Sequence, residues 1–213
     1  GRGVEQDYTQ AFYWYKKSAE NGYAYAQYNL GYCYYYGQGV EQDHSQAVFW
    51  YKKSAERGNV LSQNILGDLY ENGKSVKQDY TQAVYWYKKA AEQGNAEAQY
   101  NLACCYRDGR GVEKDYTQEV YWCKKSAEQG YAFAQNNLGN CYYLGDGVEQ
   151  DYTQAVYWYK KAAEQGNNFA QSNLGACYKN GEGVKKDIKQ AKYWYKEAAK
   201  NGNVIAERRL NEL

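Results

Sequence analysis

Six tryptophans, Trp14, Trp50, Trp86, Trp122, Trp158 and Trp194, stand 36 residues apart along the chain. Around them, the stretch DYTQAVYWYKKAAEQG at Asp79–Gly94 returns letter for letter at Asp151–Gly166, with near copies elsewhere. A fixed period of this size restricts the fold to small stacked units. Each unit buries its apolar face against its neighbours, so the core is a ribbon rather than a ball. Residues that repeat without change hold the stack together, and function is to be sought where the copies differ.

Each period predicts two helices. In NAEAQYNLACCYRD, Ala98, Leu102, Cys105 and Tyr106 fall on one helical stripe. Asn59, Asn95, Asn167 and Asn203 are suited to cap the start of this helix A, and Gly37, Gly73, Gly109, Gly145 and Gly181 to close it. After a short loop, Asp-x-x-Gln opens helix B at Asp7, Asp43, Asp79, Asp115, Asp151 and Asp187. In the Asp79 copy, Ala83, Trp86, Tyr87, Ala90 and Ala91 form the stripe expected to be buried. A buried tryptophan of this kind is worth roughly 4–6 kcal/mol at most, and each Trp→Ala change is expected to cost about 3–5 kcal/mol. The predicted organisation is one all-α solenoid over 1–213. It has a lone helix B at 7–21, full repeats at 23–58, 59–94, 95–130, 131–166 and 167–202, and a lone helix A at 203–213.

Composition excludes some partners. Formal net charge is +1, which argues against nucleic acid, and no apolar run reaches the roughly 18–20 residues of a membrane span. There is no proline and no methionine, and 28 tyrosines sit in a chain of mean hydropathy −0.98. The missing initiator methionine suggests a processed chain or a fragment. The chain opens inside an A–B loop at Gly1, and its polar last helix (Glu207, Arg208, Arg209, Glu212) reads as a natural end with further repeats once preceding Gly1.

The consensus carried by Ala26, Leu30, Gly31, Tyr34, Gly37, Gly39, Val40, Asp43, Ala47, Trp50, Ala55 and Gly58 resembles the Sel1-like repeat, a relative of the tetratricopeptide repeat. The likeness covers essentially the whole chain, with departures at Ser62, Ser75 and Ala103. It implies a right-handed α/α superhelix of stacked hairpins whose A helices line a concave groove, and a scaffold or adaptor role. It fixes neither compartment nor partner, since such proteins occur in the bacterial periplasm, among secreted effectors and in the endoplasmic reticulum.

Candidates for chemistry are few. His44, the sole histidine, occupies a phase held elsewhere by tyrosine, with no partner in register for acid–base work. Cys33, Cys105, Cys141 and Cys177 share a phase with Leu69, which marks an apolar core position. Adjacent A helices lie too far apart for a cysteine ladder to be cross-linked, although one Cys105–Cys123 bridge remains open. One branch of the resembled family carries a cysteine pair in every repeat, and this chain does not. Cys104–Cys105 alone is a weak zinc signal. No metal, cofactor or catalytic residue is expected. Lysine pairs such as Lys16–Lys17 and Lys160–Lys161 precede Glu20 and Glu164 at i,i+4 spacing, which predicts a charge-balanced solvated face.

The most variable helix-A phases are predicted to face the groove, free of packing duty. They supply a candidate partner-binding set of Tyr25, Tyr28, Tyr32, Tyr35, Asn64, Asp68, Glu97, Tyr100, Arg107, Phe133, Asn136, Asn140, Tyr143, Phe169 and Lys179. The tetratricopeptide relative lines its groove at matching positions. Tyrosine with asparagine gives large contact area at low rotamer cost plus adaptable hydrogen bonds. The expected partner is a protein or peptide, bound by a monomer. Glycan or cell-wall binding and head-to-tail stacking are the alternatives.

Overall fold

The computed structural model describes residues 7–213. The expectation for Gly1 lies outside them. Among the described residues the fold is all-α, with α1 (Tyr8–Glu20), α2 (Ala24–Tyr36), α3 (His44–Glu56), α4 (Val60–Asn72), α5 (Tyr80–Glu92), α6 (Ala96–Asp108), α7 (Tyr116–Glu128), α8 (Ala132–Leu144), α9 (Tyr152–Glu164), α10 (Asn168–Asn180), α11 (Ile188–Lys200) and α12 (Val204–Asn211). The chain divides into two compact units. The first runs to Ala98 and includes Arg110–Val112; the second comprises Gln99–Gly109 and Glu113–Leu213.

Helix limits follow from local chemistry. Every B helix starts at an aspartate whose carboxylate accepts from the backbone N–H three residues on, as Asp79 does from Gln82 at 3.0 Å. Asn59, Asn95, Asn167 and Asn203 cap A helices in the same way. The A helices close on left-handed glycines, with φ of 68° at Gly37 and 81° at Gly181. Ser75 takes φ 63° where the other loops have glycine, a conformation that costs a side chain roughly 1–2 kcal/mol.

Within each unit, helices pack in chain order, and α2, α4, α8 and α10 each lie most closely on the B helix that follows. The reason is a contact between a glycine and a ring. A Cβ on Gly31, Gly139 or Gly175 would stand 2.8, 2.6 or 2.8 Å from the ring of Tyr51, Tyr159 or Tyr195, so only glycine lets the ring lie against the helix backbone. Gly67 and Tyr87 make the same contact. At those phases the third repeat has Ala103 and Cys123, both fully buried: the methyl is added where the ring is lost.

Buried glutamines tie α2, α4, α8 and α10 each to the B helix that precedes it. Gln63 Nε2 donates to the Ala55 carbonyl at 3.0 Å, and Gln135 to Ala127 at 3.1 Å. Gln93 and Gln165 then donate to Gln63 and Gln135 at 2.7 and 2.8 Å, so the buried amides are themselves hydrogen-bonded. The expectation of uniformly buried tryptophans needs correction. Trp86, Trp122 and Trp158 are buried, Trp50 and Trp194 are half-buried, and Trp14 is 60% exposed. The indole has the same position in each helix, but its burial depends on what lies against that helix.

Candidate functional site

Each unit carries one recess walled largely by variable A-helix residues. In the first unit a cavity of about 440 Å³ is lined by Tyr28, Tyr32, Tyr35 and Tyr36 of α2, Tyr51 of α3, Ile65, Asp68, Leu69 and Asn72 of α4, and Lys74. The tyrosine rings stand at angles to one another: Tyr32–Tyr36 centroids are 4.5 Å apart at 45°, and Tyr35–Tyr36 5.0 Å at 69°. Tyr87 donates its hydroxyl to Asp68 Oδ1 at 2.7 Å and lies 2.7 Å from Glu71 Oε2. Glu71 in turn pairs with Arg110 at 2.6 Å. Burial pushes the Asp68 carboxyl up to about 6, with the charges of Glu97 and Glu71 acting the same way against the Tyr87 hydrogen bond and Lys74.

The second unit's recess, about 510 Å³, has a different chemistry. Tyr100, Phe133 and Phe169 supply rings, and Asn136, Asn137, Asn140, Asn173 and Ser172 supply amides and a hydroxyl; Asn203, Ile205 and Arg209 complete it. Asn173 Nδ2 donates to Asn136 Oδ1 at 3.1 Å and to Asn140 Oδ1 at 3.2 Å. Tyr159 donates to Asn140 Oδ1 at 2.8 Å, the counterpart of Tyr87 on Asp68.

Of the residues singled out from sequence, Tyr28, Tyr32, Tyr35 and Asp68 line the first recess, and Tyr100, Phe133, Asn136, Asn140 and Phe169 the second. The others sit elsewhere. Tyr25 is exposed beside Tyr28, and Glu97 accepts from Asn64 Nδ2 at 3.1 Å. Arg107 pairs with Asp108 at 2.9 Å, Tyr143 donates to Glu182 at 2.9 Å, and Lys179 is half-buried outside both cavities. Variation did not mean freedom from packing: Asn64 and Asn136 are only 6% and 8% exposed. A short polar side chain is tolerated on a packed phase when a neighbouring amide or carboxylate satisfies it. Reasoning from variability also missed Tyr51 and Asn173. Both occupy nearly constant phases, which by repetition alone read as packing positions.

Outside the recesses, Glu119 is the salient group. It replaces the alanine that Ala47, Ala83, Ala155 and Ala191 place at its phase, and it is 3% exposed. Burial raises its carboxyl to about 7, opposed by Arg107 and a Cys141 hydrogen bond and reinforced by Asp146 and Asp108. The six cysteines are buried thiols without disulfides, and burial pushes the Cys141 and Cys177 thiols up to about 12. Among the described residues, no group of three or more histidine, cysteine, aspartate or glutamate side chains is placed to hold a metal, and no helix is long and apolar enough to cross a membrane. The lysine face adds a contact that spacing did not announce, made by the second lysine of each pair. Lys17, Lys53, Lys89, Lys125 and Lys161 lie 4.7–5.1 Å from the ring centroids of Tyr13, Phe49, Tyr85, Tyr121 and Tyr157. Lys160–Glu164, at 3.9 Å, is a bridge of the expected kind. The second lysine of each pair has no carboxylate at i+4, and the weakly solvated ring face at i−4 is within its reach.

A scan against protein families matches the Sel1 repeat at residues 1–23, 24–59, 60–95, 96–131, 132–167 and 168–203. No match was found among curated proteins. Among solved structures, the chain is similar to a protective antigen present in uropathogenic Escherichia coli strains, displaying an SLR fold. Identity is 41% and the TM-score 0.90, over 94% of this chain and 43% of that one, so this chain spans less than half of that protein's length. It is also similar to a Sel1 repeat protein from Oxalobacter formigenes, at 38% identity and TM-score 0.89, over 94% of this chain and 83% of that one.

Proposed function

This chain belongs to the Sel1 repeat family, and on that premise we propose that it is a non-catalytic scaffold that holds a protein or peptide ligand in its A-helix recesses. Sel1 repeat proteins are in general protein-interaction scaffolds. The observation that carries the reading is the make-up of the recesses: exposed rings and adaptable polar groups gathered on the phases that change between copies. Tyr32, Tyr36, Phe133 and Phe169 are all exposed beside hydrogen-bonding side chains. Rings with few rotatable bonds bury much area on binding while losing little entropy.

The test is a peptide array probed with the full chain and with a Tyr32→Ala/Tyr36→Ala/Phe133→Ala/Phe169→Ala variant. These rings are exposed, so the variant is expected to keep its melting temperature while losing at least about tenfold in affinity. Unchanged binding of every captured peptide would sink the recess assignment. A glycan reading draws support from the second recess alone, where amides flank exposed phenylalanines. Retention on polysaccharide, competed by free sugar, would favour it over peptide binding.

A further inference from the structure

We propose that the recess of the first unit takes a basic side chain, lysine or arginine, of the partner polypeptide, with Asp68 as its counter-charge and the rings of Tyr32, Tyr35 and Tyr36 as its walls. The proposal rests on the scaffold reading and specifies what one recess of that scaffold selects. Three tyrosine rings within 4.5–5.0 Å of their neighbours, tilted by 45° and 69°, turn faces and edges into one cavity. Ring faces carry partial negative charge and attract an ammonium or guanidinium that has left water. On the B helices, lysines of this chain already lie over such faces.

Charge complements the rings. The carboxylates of Glu97 and Glu71 act on Asp68 as like charges and Lys74 as the opposite one, while Glu71 is paired with Arg110. Burial raises the Asp68 carboxyl first, with the like charges of Glu97 and Glu71 adding to it, and a ligand cation would oppose both. A carboxylate accepts several hydrogen bonds, so the Tyr87 hydroxyl and a ligand N–H can share it. The second recess lacks the carboxylate, since Asn140 takes the place of Asp68; each recess has one lining cation, Lys74 in the first and Arg209 in the second.

Asp68→Asn is the decisive variant, because the protein contains its template. Asn140 accepts from Tyr159 at 2.8 Å as Asp68 does from Tyr87 at 2.7 Å, so the substitution removes charge and keeps the hydrogen bond. Random heptapeptides displayed on phage would be selected on the immobilised full chain and on Asp68→Asn in parallel. Synthetic pairs would follow, with each enriched lysine replaced by norleucine or arginine by citrulline, and with n-butylammonium chloride and n-butanol as competitors. The expected result is enrichment of basic residues on wild type and about a tenfold loss on neutralising them. Competition should come from the ammonium alone, and discrimination should be lost in Asp68→Asn with no fall in melting temperature. Tyr36→Leu, which keeps apolar volume without a ring face, should also lose discrimination. Equal affinity for lysine and norleucine peptides, or full discrimination retained in Asp68→Asn, would overturn the proposal while leaving the scaffold standing. If no peptide of any composition is retained, both readings fall.

Discussion

The two units put the same tyrosine to different use. Tyr87 points its hydroxyl between two carboxylates, Asp68 and Glu71, each 2.7 Å away. A phenol has one proton to donate, so two anions compete for it and one of them gains by taking a proton of its own. Tyr159, on the equivalent helix of the second unit, donates to the neutral Asn140, which also accepts from Asn173. Behind the hydroxyl the frame is the same: a glycine under the ring, a buried tryptophan beside it, an aspartate cap below. The frame carries the phenol to one place, and the A-helix residue it meets sets whether the recess is charged or amide-lined.

If the frames are equivalent, substitutions in them should cost the same in both units. Trp86→Ala and Trp158→Ala should each lose about 3–5 kcal/mol in denaturant unfolding of the full chain, while Trp14→Ala, largely exposed, should lose under about 1 kcal/mol. A large gap between the first two would break the comparison. Gly67→Ala and Gly139→Ala should each cost about 2–3 kcal/mol by driving a methyl into the tyrosine ring. Adding Tyr87→Cys to Gly67→Ala, which copies Ala103 with Cys123, should recover part of the loss.

Substitutions in the filling should instead separate the units. Glu119, in the second unit, has a folded-state carboxyl raised from 4.5 to about 7. Its stabilising contribution is therefore complete below about pH 4.5 and lost as pH rises through 7, because the unfolded chain ionises more readily. Glu119→Ala should remove that slope and add about 2 kcal/mol at pH 8 relative to wild type, read from unfolding curves at pH 5 and pH 8. Asp68, raised from 3.8 to about 6, has the same sign with its window between those values. Asp68→Asn should flatten the pH profile by about 1 kcal/mol, after discounting for partial exposure, and Asn140→Asp should introduce a comparable slope in the other unit. A flat profile in Asn140→Asp would show that the two tyrosine sites differ in more than the residue they meet.

The stripes of helix A and helix B were readable from spacing, and so were the aspartate, asparagine and glycine caps, because each depends on neighbours a few residues away. Ala103 and Cys123 were visible as departures, but their compensation was not, since it joins an A helix to a B helix twenty residues on. Glu119 sits at a phase that is alanine in the other copies but was not singled out from the sequence, since nothing local announces that it stays buried. Variability pointed to Tyr32 and Phe133 and equally to Asn64, which turned inward onto Glu97. Spacing offered the first lysine of each pair a glutamate at i+4, and Lys160 does pair with Glu164, but it did not announce that the second lysine lies over a ring at i−4.

Taken alone, the order of residues determined the period, the two helices in it and where each begins and ends, because hydrogen-bonded caps and 3.6-residue stripes are short-range physics. Which variable side chains line a cavity, which are sealed in, and which carboxyl is desolvated enough to hold its proton near neutrality were decided by packing between helices. Burial and charge are sums over groups distant in the chain, and no window of the sequence contains those sums.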